Sequence, residues 1–136
     1  MFVIDASIAL AWLLPDEEAD QAEKVIILAR LNGPVAPALF PLEVANALRS
    51  NMRRGRIDAA YRDAALDQLE KTSVARDLEA YDPGVLRDTV RLSDRHGLTV
   101  YDAAYLELAL RHDAPLGTLD DDLRRAARAE NVALHP

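Results

Sequence analysis

Two short apolar runs near opposite ends of the chain each stop at an aspartate. Phe2-Val3-Ile4 precedes Asp5, and the run from Leu116 to Leu119 precedes Asp120. Short apolar runs of this kind are typical of buried strands, and helical patterns fill most of the sequence between them. Strands alternating with helices through short loops predict a parallel sheet covered on both faces. The expected fold class is α/β, with three α/β/α layers and a small central parallel sheet flanked by helices.

Helical spacing and capping residues predict the elements between these runs. Ser7 is a candidate N-cap for a helix from Ile8 to Leu14, and Asp16 is the candidate cap of the next helix. In that second helix, the spacing of the apolar residues predicts one buried face, formed by Ala22, Val25, Ile26 and Ala29. Further helices are predicted over 39–52, after Asp58, after Asp82-Pro83 (where Leu86, Thr89, Val90 and Ser93 share a face), over 102–112 and over 120–129, and further strands over 35–37, 73–75 and 132–134.

Length and composition bound the kind of protein. A chain of 136 residues fits one domain, 1–136. The absence of cysteine excludes disulfides, thiolate nucleophiles and zinc sites built on cysteine. Residues 1–5 are too short and too soon acidic for a signal peptide, and no apolar run approaches the roughly 18 residues of a membrane span. We therefore expect a soluble, cytoplasmic protein without a membrane partner.

The charge balance argues against one class of partner. A formal net charge of −7 disfavours a surface that wraps duplex DNA by charge alone. Acids gathered in one pocket would change this, because a bound divalent cation neutralises them and reverses the sign that a phosphate meets. The distribution of charge therefore matters more than its sum.

Four acids stand where the predicted elements would bring them to one site. Strand ends in open α/β sheets meet at a ligand-binding crevice, so Asp5 and Asp120 would face the same space. Glu43 lies in an apolar stretch, and Asp102 precedes Ala103-Ala104. Carboxylate oxygens suit Mg²⁺, and paired ions can activate a water and stabilise a leaving oxygen. Taken singly, Glu43 could point to solvent, Asp102 could be an N-cap, and Asp120 shares the capping role with Asp121 and Asp122.

Four motifs in this order carry a resemblance to a known family. They are Val3-Ile4-Asp5-Ala6-Ser7 followed by Ala11-Trp12, then Glu43-Val44-Ala45-Asn46, then Thr99-Val100-Tyr101-Asp102-Ala103-Ala104-Tyr105, and finally Thr118-Leu119-Asp120. Together they resemble the PIN-domain ribonucleases, and particularly the VapC-type toxins of bacterial and archaeal toxin–antitoxin pairs. The resemblance spans nearly the whole chain.

The resemblance implies a PIN-like fold and a role for each motif. Asp5, Glu43, Asp102 and Asp120 would be the catalytic acids that bind Mg²⁺ or Mn²⁺. Ser7, Asn46 and Thr118 match secondary polar positions that orient ligands or phosphate. Whether Asp121 or Asp122 assists or replaces Asp120 stays open, and Thr118 two residues earlier favours Asp120.

The same resemblance implies an activity and partners. The protein would be an endoribonuclease toxin that cleaves tRNA, rRNA or mRNA with a metal-activated water. A cognate VapB-like antitoxin would neutralise it, and two copies would form a homodimer. The antitoxin would bind a groove formed by part of Ala9–Leu14 and the Ala22-Val25-Ile26 helix, although core packing is the competing interpretation of those residues.

Basic and imidazole side chains leave further interpretations open. Arg49 and Arg53, with Arg54 and Arg56, concentrate positive charge at the end of the Glu43 helix. They could guide RNA, or they could simply be a solvated helix end where cations are favoured. A second basic group, expected to face solvent, contains Arg124, Arg125 and Arg128.

Three other functions compete with the metal nuclease. A metal-free mechanism would need two of His96, His112 and His135 at one substrate, whereas all three favour helix-end or tail positions. A phosphohydrolase of the haloacid-dehalogenase type would use Asp5 as nucleophile, but that class wants Asp-x-Asp and position 7 is serine. A non-catalytic PIN-like module that binds RNA or protein would have no need for all four acids.

Overall fold

A parallel five-stranded sheet forms the centre of the molecule. The computed structural model describes residues 1–15 and 18–136, so the predicted cap Asp16 lies outside the described residues. The strand order is β3-β2-β1-β4-β5, and each neighbouring pair is parallel. The strands are β1 (Phe2–Ile4), β2 (Pro34–Pro37), β3 (Ala75–Asp77), β4 (Leu116–Gly117) and β5 (Leu134–His135).

Helices connect the strands and flank the sheet. They are α1 (Ala6–Leu13), α2 (Ala19–Asn32), α3 (Phe40–Arg53), α4 (Ala59–Glu70), α5 (Pro83–His96), α6 (Val100–Arg111) and α7 (Asp121–Ala129), with a short 3-10 helix at Glu79–Tyr81. Both α2 and α6 contact β1 and β2. All three residues of β1 are buried, as expected for a parallel strand covered on both faces. The predicted α/β class, with a central parallel sheet flanked by helices, is confirmed.

Two helix starts differ from the sequence prediction. Asp5, not Ser7, is the N-cap of α1, because its extended backbone lets the carboxylate accept the Ile8 N–H at 3.2 Å. Thr99, not Asp102, is the N-cap of α6, and its hydroxyl accepts the Asp102 N–H at 3.0 Å. In both places the true cap is the last residue with extended backbone. Ser7 and Asp102 therefore lie inside the helices, with side chains free of that duty.

The strands are also shorter or shifted. The predicted strand over 115–119 pairs only at Leu116 and Gly117, because Leu119 donates its N–H to the Ser7 hydroxyl at 2.8 Å instead of to a strand carbonyl. The predictions over 73–75 and 132–134 are displaced, since β3 begins at Ala75 and β5 at Leu134. Side-chain bonding at the end of β4 thus overrides its apolar pattern.

Packing confirms one predicted helix face and corrects another. Ala22, Val25, Ile26 and Ala29 of α2 are all buried, as predicted. On α5 the residues packed inward are Thr89 and Leu92, whereas Leu86 and Val90 are 49% and 41% exposed. The predicted shared face of α5 is therefore wrong by part of a turn, because contact with α6 selects the Thr89–Leu92 side.

One glycine allows α2 to lie close against β4. A Cβ at Gly117 would stand 2.7 Å from Val25 Cγ1 and 3.1 Å from Phe2 Cε1, which is closer than ordinary contact. Gly117 pairs with Ile4, so β4 and β1 end at the same level, where the candidate site begins. Among the described residues, no helix has the length and apolar character needed to cross a membrane.

Candidate active site

The pairing of β1 with β4 brings two of the predicted site segments together. Val3 pairs with Leu116 and Ile4 with Gly117, so Asp5 and Thr118 follow directly at the same edge of the sheet. Thr118 is fully buried and donates its hydroxyl to Asp5 Oδ2 at 2.7 Å. Residues 113 positions apart in the chain are thereby joined at the carboxyl ends of adjacent strands.

Hydroxyl groups hold the Asp5 carboxylate on both oxygens. Ser7 donates to Oδ1 at 2.5 Å, and the Ile8 N–H reaches the same oxygen. Burial raises the pKa of Asp5 to about 6, against the lowering effect of hydrogen bonds from Ser7, Thr118 and Ile8; the negative charge of Asp120 adds to the rise. Asp5 is thus a fixed, buried acid whose ionised form is disfavoured in the metal-free protein.

The same hydroxyls also position the loop that carries Asp120. Ser7 accepts the N–H of Leu119 at 2.8 Å, and Thr118 Oγ1 accepts the N–H of Asp120 at 3.0 Å. Each hydroxyl therefore donates to Asp5 and accepts from the backbone after β4. The sequence predicted that Ser7 and Thr118 orient ligands or phosphate. In the structure their hydrogen bonds hold the Asp5 carboxylate and the backbone next to Asp120.

Asp120 lies closer to this group than its acidic neighbours. Its carboxylate caps α7 by accepting the Leu123 N–H at 2.7 Å, and its charge contributes to the raised pKa of Asp5. Asp121 and Asp122 are exposed in the first turn of α7, and Asp122 pairs with Arg125 at 3.2 Å. The geometry favours Asp120 as the member of the acid group.

Glu43 projects from the first turn of α3 into the same region. Its pKa is raised to about 7, mainly by burial and also by the charges of Asp102 and Asp5, while a contact with the Tyr105 hydroxyl lowers it. Its Oε1 is buried without a hydrogen-bond partner of good geometry among the described residues. A buried, unpartnered carboxylate oxygen is costly, and it is an available ligand atom.

Tyr105 is a site residue that the sequence reasoning missed as a separate candidate. It is 1% exposed, and its hydroxyl is buried with no hydrogen bond of good geometry in the described part of the chain. Burial and the charges of Glu43, Asp5 and Asp102 hold its pKa well above the usual range. Its position three residues after Asp102, on the same side of a helix, was the available signal. The phenol therefore stays protonated beside the acids.

Asp102 completes the acid group from α6. Its carboxylate accepts a hydrogen bond from the Thr99 hydroxyl at 2.8 Å and remains partly exposed. Electrostatic effects on the pKa values link Asp5 with Asp120, and Glu43 with both Asp5 and Asp102. The structure thus brings all four predicted acids into one electrostatically coupled group, which we call the acid cluster.

The chemistry of the acid cluster fits a hard divalent cation. Its donors are carboxylate oxygens, and Glu43 Oε1 has no hydrogen-bond partner of good geometry among the described residues. Burial is the main cause of the raised pKa values, and the mutual repulsion that adds to it is the kind a cation relieves. As the side chains lie, however, no three acidic or imidazole groups among residues 1–15 and 18–136 are gathered tightly enough to ligate one ion. Glu43 and Asp102 are partly exposed, so their side chains have room to reorient.

The remaining predicted polar residues lie at the edge of this region. Asn46 is exposed one turn after Glu43 on α3. Arg49 and Arg53 are exposed further along the same helix, and neither belongs to an ion pair found among the described residues. Arg124 is a correction: it is half-buried and donates to the carbonyls of Thr118 and Pro136, at 2.9 and 3.1 Å.

The histidines do not form a pair. His96 contacts Glu130 at 2.7 Å, His112 lies 3.1 Å from Arg111, and His135 packs on Phe2 with ring centroids 5.3 Å apart. None of the hydrogen bonds found in the described residues joins two histidines. This arrangement gives the two-histidine mechanism no support.

The apolar α1 segment is mainly core. Ile8, Ala9, Ala11 and Leu13 are buried, and the α2 residues that would have formed the other wall of a partner groove are buried as well. Leu10, Trp12 and Leu14 are only partly buried and pack against the core. The predicted groove between these two segments is therefore closed by packing within the chain.

Comparisons with known proteins bear on the whole chain. The family model described as "PIN domain" matches residues 2–129. Ribonuclease VapC3 of Pyrobaculum aerophilum is 36% identical over 121 residues, which cover 89% of this chain and 90% of that protein. Ribonuclease VapC9 of Mycobacterium tuberculosis is 35% identical over 130 residues, covering 96% of this chain and 94% of that protein.

Solved structures give the same fold. The crystal structure of PAE2754 from Pyrobaculum aerophilum has a TM-score of 0.69 at 28% identity and covers 92% of this chain and 84% of that chain. FitAcB from Neisseria gonorrhoeae has a TM-score of 0.68 at 15% identity, covering 100% of this chain and 97% of that chain, and so supports the fold alone. Given the match over residues 2–129 and relatives similar over nearly its full length, the chain belongs to the PIN domain family, and the relatives it resembles there are VapC ribonucleases.

Proposed function

We propose that this protein is a VapC-type endoribonuclease toxin in which residues 1–136 work as one PIN domain. Its substrate would be RNA, hydrolysed with Mg²⁺ or Mn²⁺ to leave a 5′-phosphate and a 3′-hydroxyl. The observation that carries the proposal is the acid cluster, in which acids from four places in the chain lie close enough to affect one another, while burial is the main cause of the raised pKa values of Asp5 and Glu43. Similarity to VapC ribonucleases supports RNA as the substrate class.

The four acids would hold the metal, each from a differently constrained position. Asp5 is fixed by Ser7 and Thr118, and Asp120 is fixed by its capping bond. Glu43 and Asp102 are partly exposed, and Asp102 would exchange its hydrogen bond from Thr99 for the metal. A bound Mg²⁺ or Mn²⁺ supplies an activated water and offsets charge that develops on the phosphate. The protein side chains would thus hold and orient rather than attack.

Tyr105 and the hydroxyl pair would keep the carboxylates in their working state. The Tyr105 phenol remains a proton donor facing Glu43, which lowers the pKa of that carboxyl. Ser7 and Thr118 lower the pKa of Asp5 in the same way. These groups favour ionised carboxylates, which is the form that binds a cation.

Two alternatives are weaker on the same observations. A binding-only module gains nothing from burying Asp5 and Glu43 at a cost in stability. A phosphohydrolase with Asp5 as nucleophile lacks the second acid of Asp-x-Asp, since position 7 is a serine that donates its hydroxyl to Asp5. Neither alternative uses Glu43 and Asp102 together.

RNA digestion with matched variants tests the proposal. Labelled RNA would be incubated with the parent, Asp5→Asn and Asp102→Asn, in Mn²⁺ and in EDTA. We expect cleavage only in Mn²⁺, and a loss of at least about a hundredfold in each variant, because each removes a ligand charge. Asp94→Asn is the control, since Asp94 is an exposed acid on α5. Cleavage that persists in EDTA, or that survives both ligand substitutions, contradicts the metal mechanism.

We also propose a cognate VapB-like antitoxin and a second copy of this chain as partners. Apolar side chains remain uncovered on α2, where Ile27 and Leu31 are 52% and 79% exposed. More lie around the 3-10 helix and α5, where Leu78 and Tyr81 are 70% and 74% exposed. Exposed apolar patches mark protein interfaces. Light scattering during gel filtration would give a dimer mass, and a monomer mass at micromolar concentration would contradict the homodimer.

A further inference from the structure

The end of α3 carries positive charge that the rest of the molecule does not neutralise. Arg49, Arg53, Arg54 and Arg56 are all exposed, and none takes part in an ion pair identified within the described ranges. The chain as a whole has a net charge of −7. An uncompensated basic group on an acidic protein favours an anionic partner at that place.

Helix geometry places part of this basic group in line with the acid cluster. Successive residues turn by about 100°, so Glu43, Ser50 and Arg54 lie along one side of α3 and its cap. A rise of about 1.5 Å per residue puts Ser50 roughly 10 Å and Arg54 roughly 16 Å from Glu43 along the axis. Arg49 lies about 120° around the helix from Glu43. Glu43, Ser50 and Arg54 therefore form a row along α3 that leads from the acid cluster to the basic end of the helix.

A cavity lies at the far end of this row. It is an open surface depression of about 320 Å³, lined by Ser50, Arg53 and Arg54. Two guanidinium groups and a hydroxyl are donors suited to phosphate oxygens. The Ser50 hydroxyl donates to the Asn46 carbonyl at 3.1 Å. To donate to a bound anion, it would turn away from that carbonyl. The partial negative charge of the helix end opposes an anion, but two full positive charges outweigh it.

We propose that Ser50, Arg53 and Arg54 form a phosphate pocket that holds the RNA backbone a few nucleotides from the phosphate cleaved at the acid cluster. The placement relative to cleavage rests on the proposed function, whereas phosphate binding by the pocket does not. A chain of linked phosphates is the occupant that explains why the pocket is aligned with Glu43, since it can reach both places at once. Arg49 lies outside the pocket.

Binding without cleavage tests the pocket directly. Fluorescence anisotropy of a labelled single-stranded RNA in EDTA would compare the parent, Arg53→Ala/Arg54→Ala and Arg49→Ala/Arg56→Ala. The two double variants lose equal charge at the same end of α3. We expect the pocket variant to bind about tenfold more weakly, as for loss of a charged hydrogen bond, and the control to change less than about threefold. The slope of log affinity against log salt should fall by about 0.7 for each phosphate that the protein no longer neutralises.

Equal weakening in both double variants would show a diffuse charge effect and would overturn the pocket, as would unchanged binding by the pocket variant. A single methylphosphonate linkage gives a second readout, because removing the charge of the seated phosphate should weaken the parent and leave the pocket variant unaffected. Circular dichroism and thermal unfolding would verify that the variants fold.

Cleavage kinetics in Mn²⁺ separate this proposal from the proposed function. The pocket variant should raise KM and leave kcat unchanged, because the acid cluster is untouched. RNA that binds through the pocket but is never cut would overturn the nuclease and leave the pocket standing. Cutting by the pocket variant with the parent's KM would overturn the pocket and leave the nuclease standing.

Discussion

At the residue scale, hydrogen bonding and burial have opposite effects on the pKa of Asp5. Its carboxylate caps α1 and accepts two hydroxyl hydrogen bonds, which favour the ionised form. Burial favours the neutral form and has the larger effect, so its pKa lies near 6. Without a metal, Asp5 should therefore make the folded state less stable as pH rises, whereas an ordinary paired carboxylate makes it more stable.

The stability contributed by Asp5 should fall as pH rises. Its folded pKa is about 6 and that of Glu43 about 7, both above their unfolded values, so the folded state holds more protons between about pH 4 and pH 7. The free energy of unfolding loses a contribution of about 3 kcal/mol from Asp5 across that window, since the Asp5 pKa is raised from 3.8 to about 6. Urea titrations in EDTA would measure it. Because asparagine does not titrate, the free energy of unfolding of Asp5→Asn minus that of the parent should increase as pH rises. A difference that stays constant with pH would contradict the raised pKa of Asp5.

Thr118 should affect this titration through its hydroxyl alone. Thr118→Val keeps the shape but removes the bonds to Asp5 and to the Asp120 N–H, at a cost of about 1 to 3 kcal/mol. The pKa of Asp5 should rise further, because the hydrogen bond from Thr118 lowers it. The loss of stability with rising pH should then extend to a higher pH. Thr118→Ser should restore most of both properties. Equal pH profiles in the valine and serine variants would mean that Thr118 acts only by packing.

At the element scale, Arg111 ties the end of α6 to β3 and the 3-10 helix. It donates to Asp77 at 2.6 Å, to Glu79 at 2.7 Å and to Glu107 at 2.9 Å. Asp77 and Glu107 are buried, and the acids raise the pKa of the guanidinium above its usual range. This ion group holds an edge strand against the helix that supplies Asp102 and Tyr105.

Loss of Arg111 should destabilise the fold strongly. Arg111→Met leaves two buried carboxylates unpaired, which costs about 3 to 5 kcal/mol. Arg91→Ala is the matched control, because its pair with Asp88 is 73% and 59% exposed and is worth less than about 1 kcal/mol. Thermal and urea unfolding would report both. A cost below about 1 kcal/mol for Arg111→Met would show that the acids find other partners.

The sequence predicted the presence of helices and strands better than the residues at which they begin and end. Periodicity located the buried face of α2 and the helices around Glu43 and Asp102, because local spacing determines them. It misplaced two caps, because apolar spacing does not locate the last extended residue before a helix. It also extended β4 too far, since the end of β4 depends on bonds between Ser7, Leu119 and Thr118 that join distant segments. The Arg111 group was missed for the same reason. Its contact with Glu107 spans four residues, whereas those with Asp77 and Glu79 span 34 and 32.

The four acids of the candidate site and the hydroxyls of Ser7 and Thr118 beside them were named from the sequence, whereas the buried contact of Glu43 with Tyr105 was not. Strand-end geometry brought Asp5 and Asp120 together, and the family motifs added Glu43 and Asp102. Burial of the Tyr105 hydroxyl and of Glu43 Oε1 depends on the packing of α3 against the rest of the core, which no local pattern reports.

At the scale of the whole molecule, a divalent cation should act as a structural ligand. An ion at about a hundred times its Kd adds about 2.7 kcal/mol to the free energy of unfolding, provided it binds only the folded state. Mn²⁺ should therefore raise the midpoint of thermal unfolding by several degrees in the parent and in Asp94→Asn. The shift should vanish in Glu43→Gln. A shift of the same size there would place the ion elsewhere.

The pairing of β1 with β4 also has a consequence for synthesis. The hydroxyl of Thr118 reaches Asp5 across 113 positions, and β1 occupies the middle of the sheet. A growing chain cannot complete the acid cluster until this late segment has left the ribosome, and parallel pairing over such a span is slow. Prematurely terminated chains would lack the cluster. For an enzyme proposed to destroy RNA, the order of translation would itself delay activity until Thr118 and Asp120 have emerged from the ribosome.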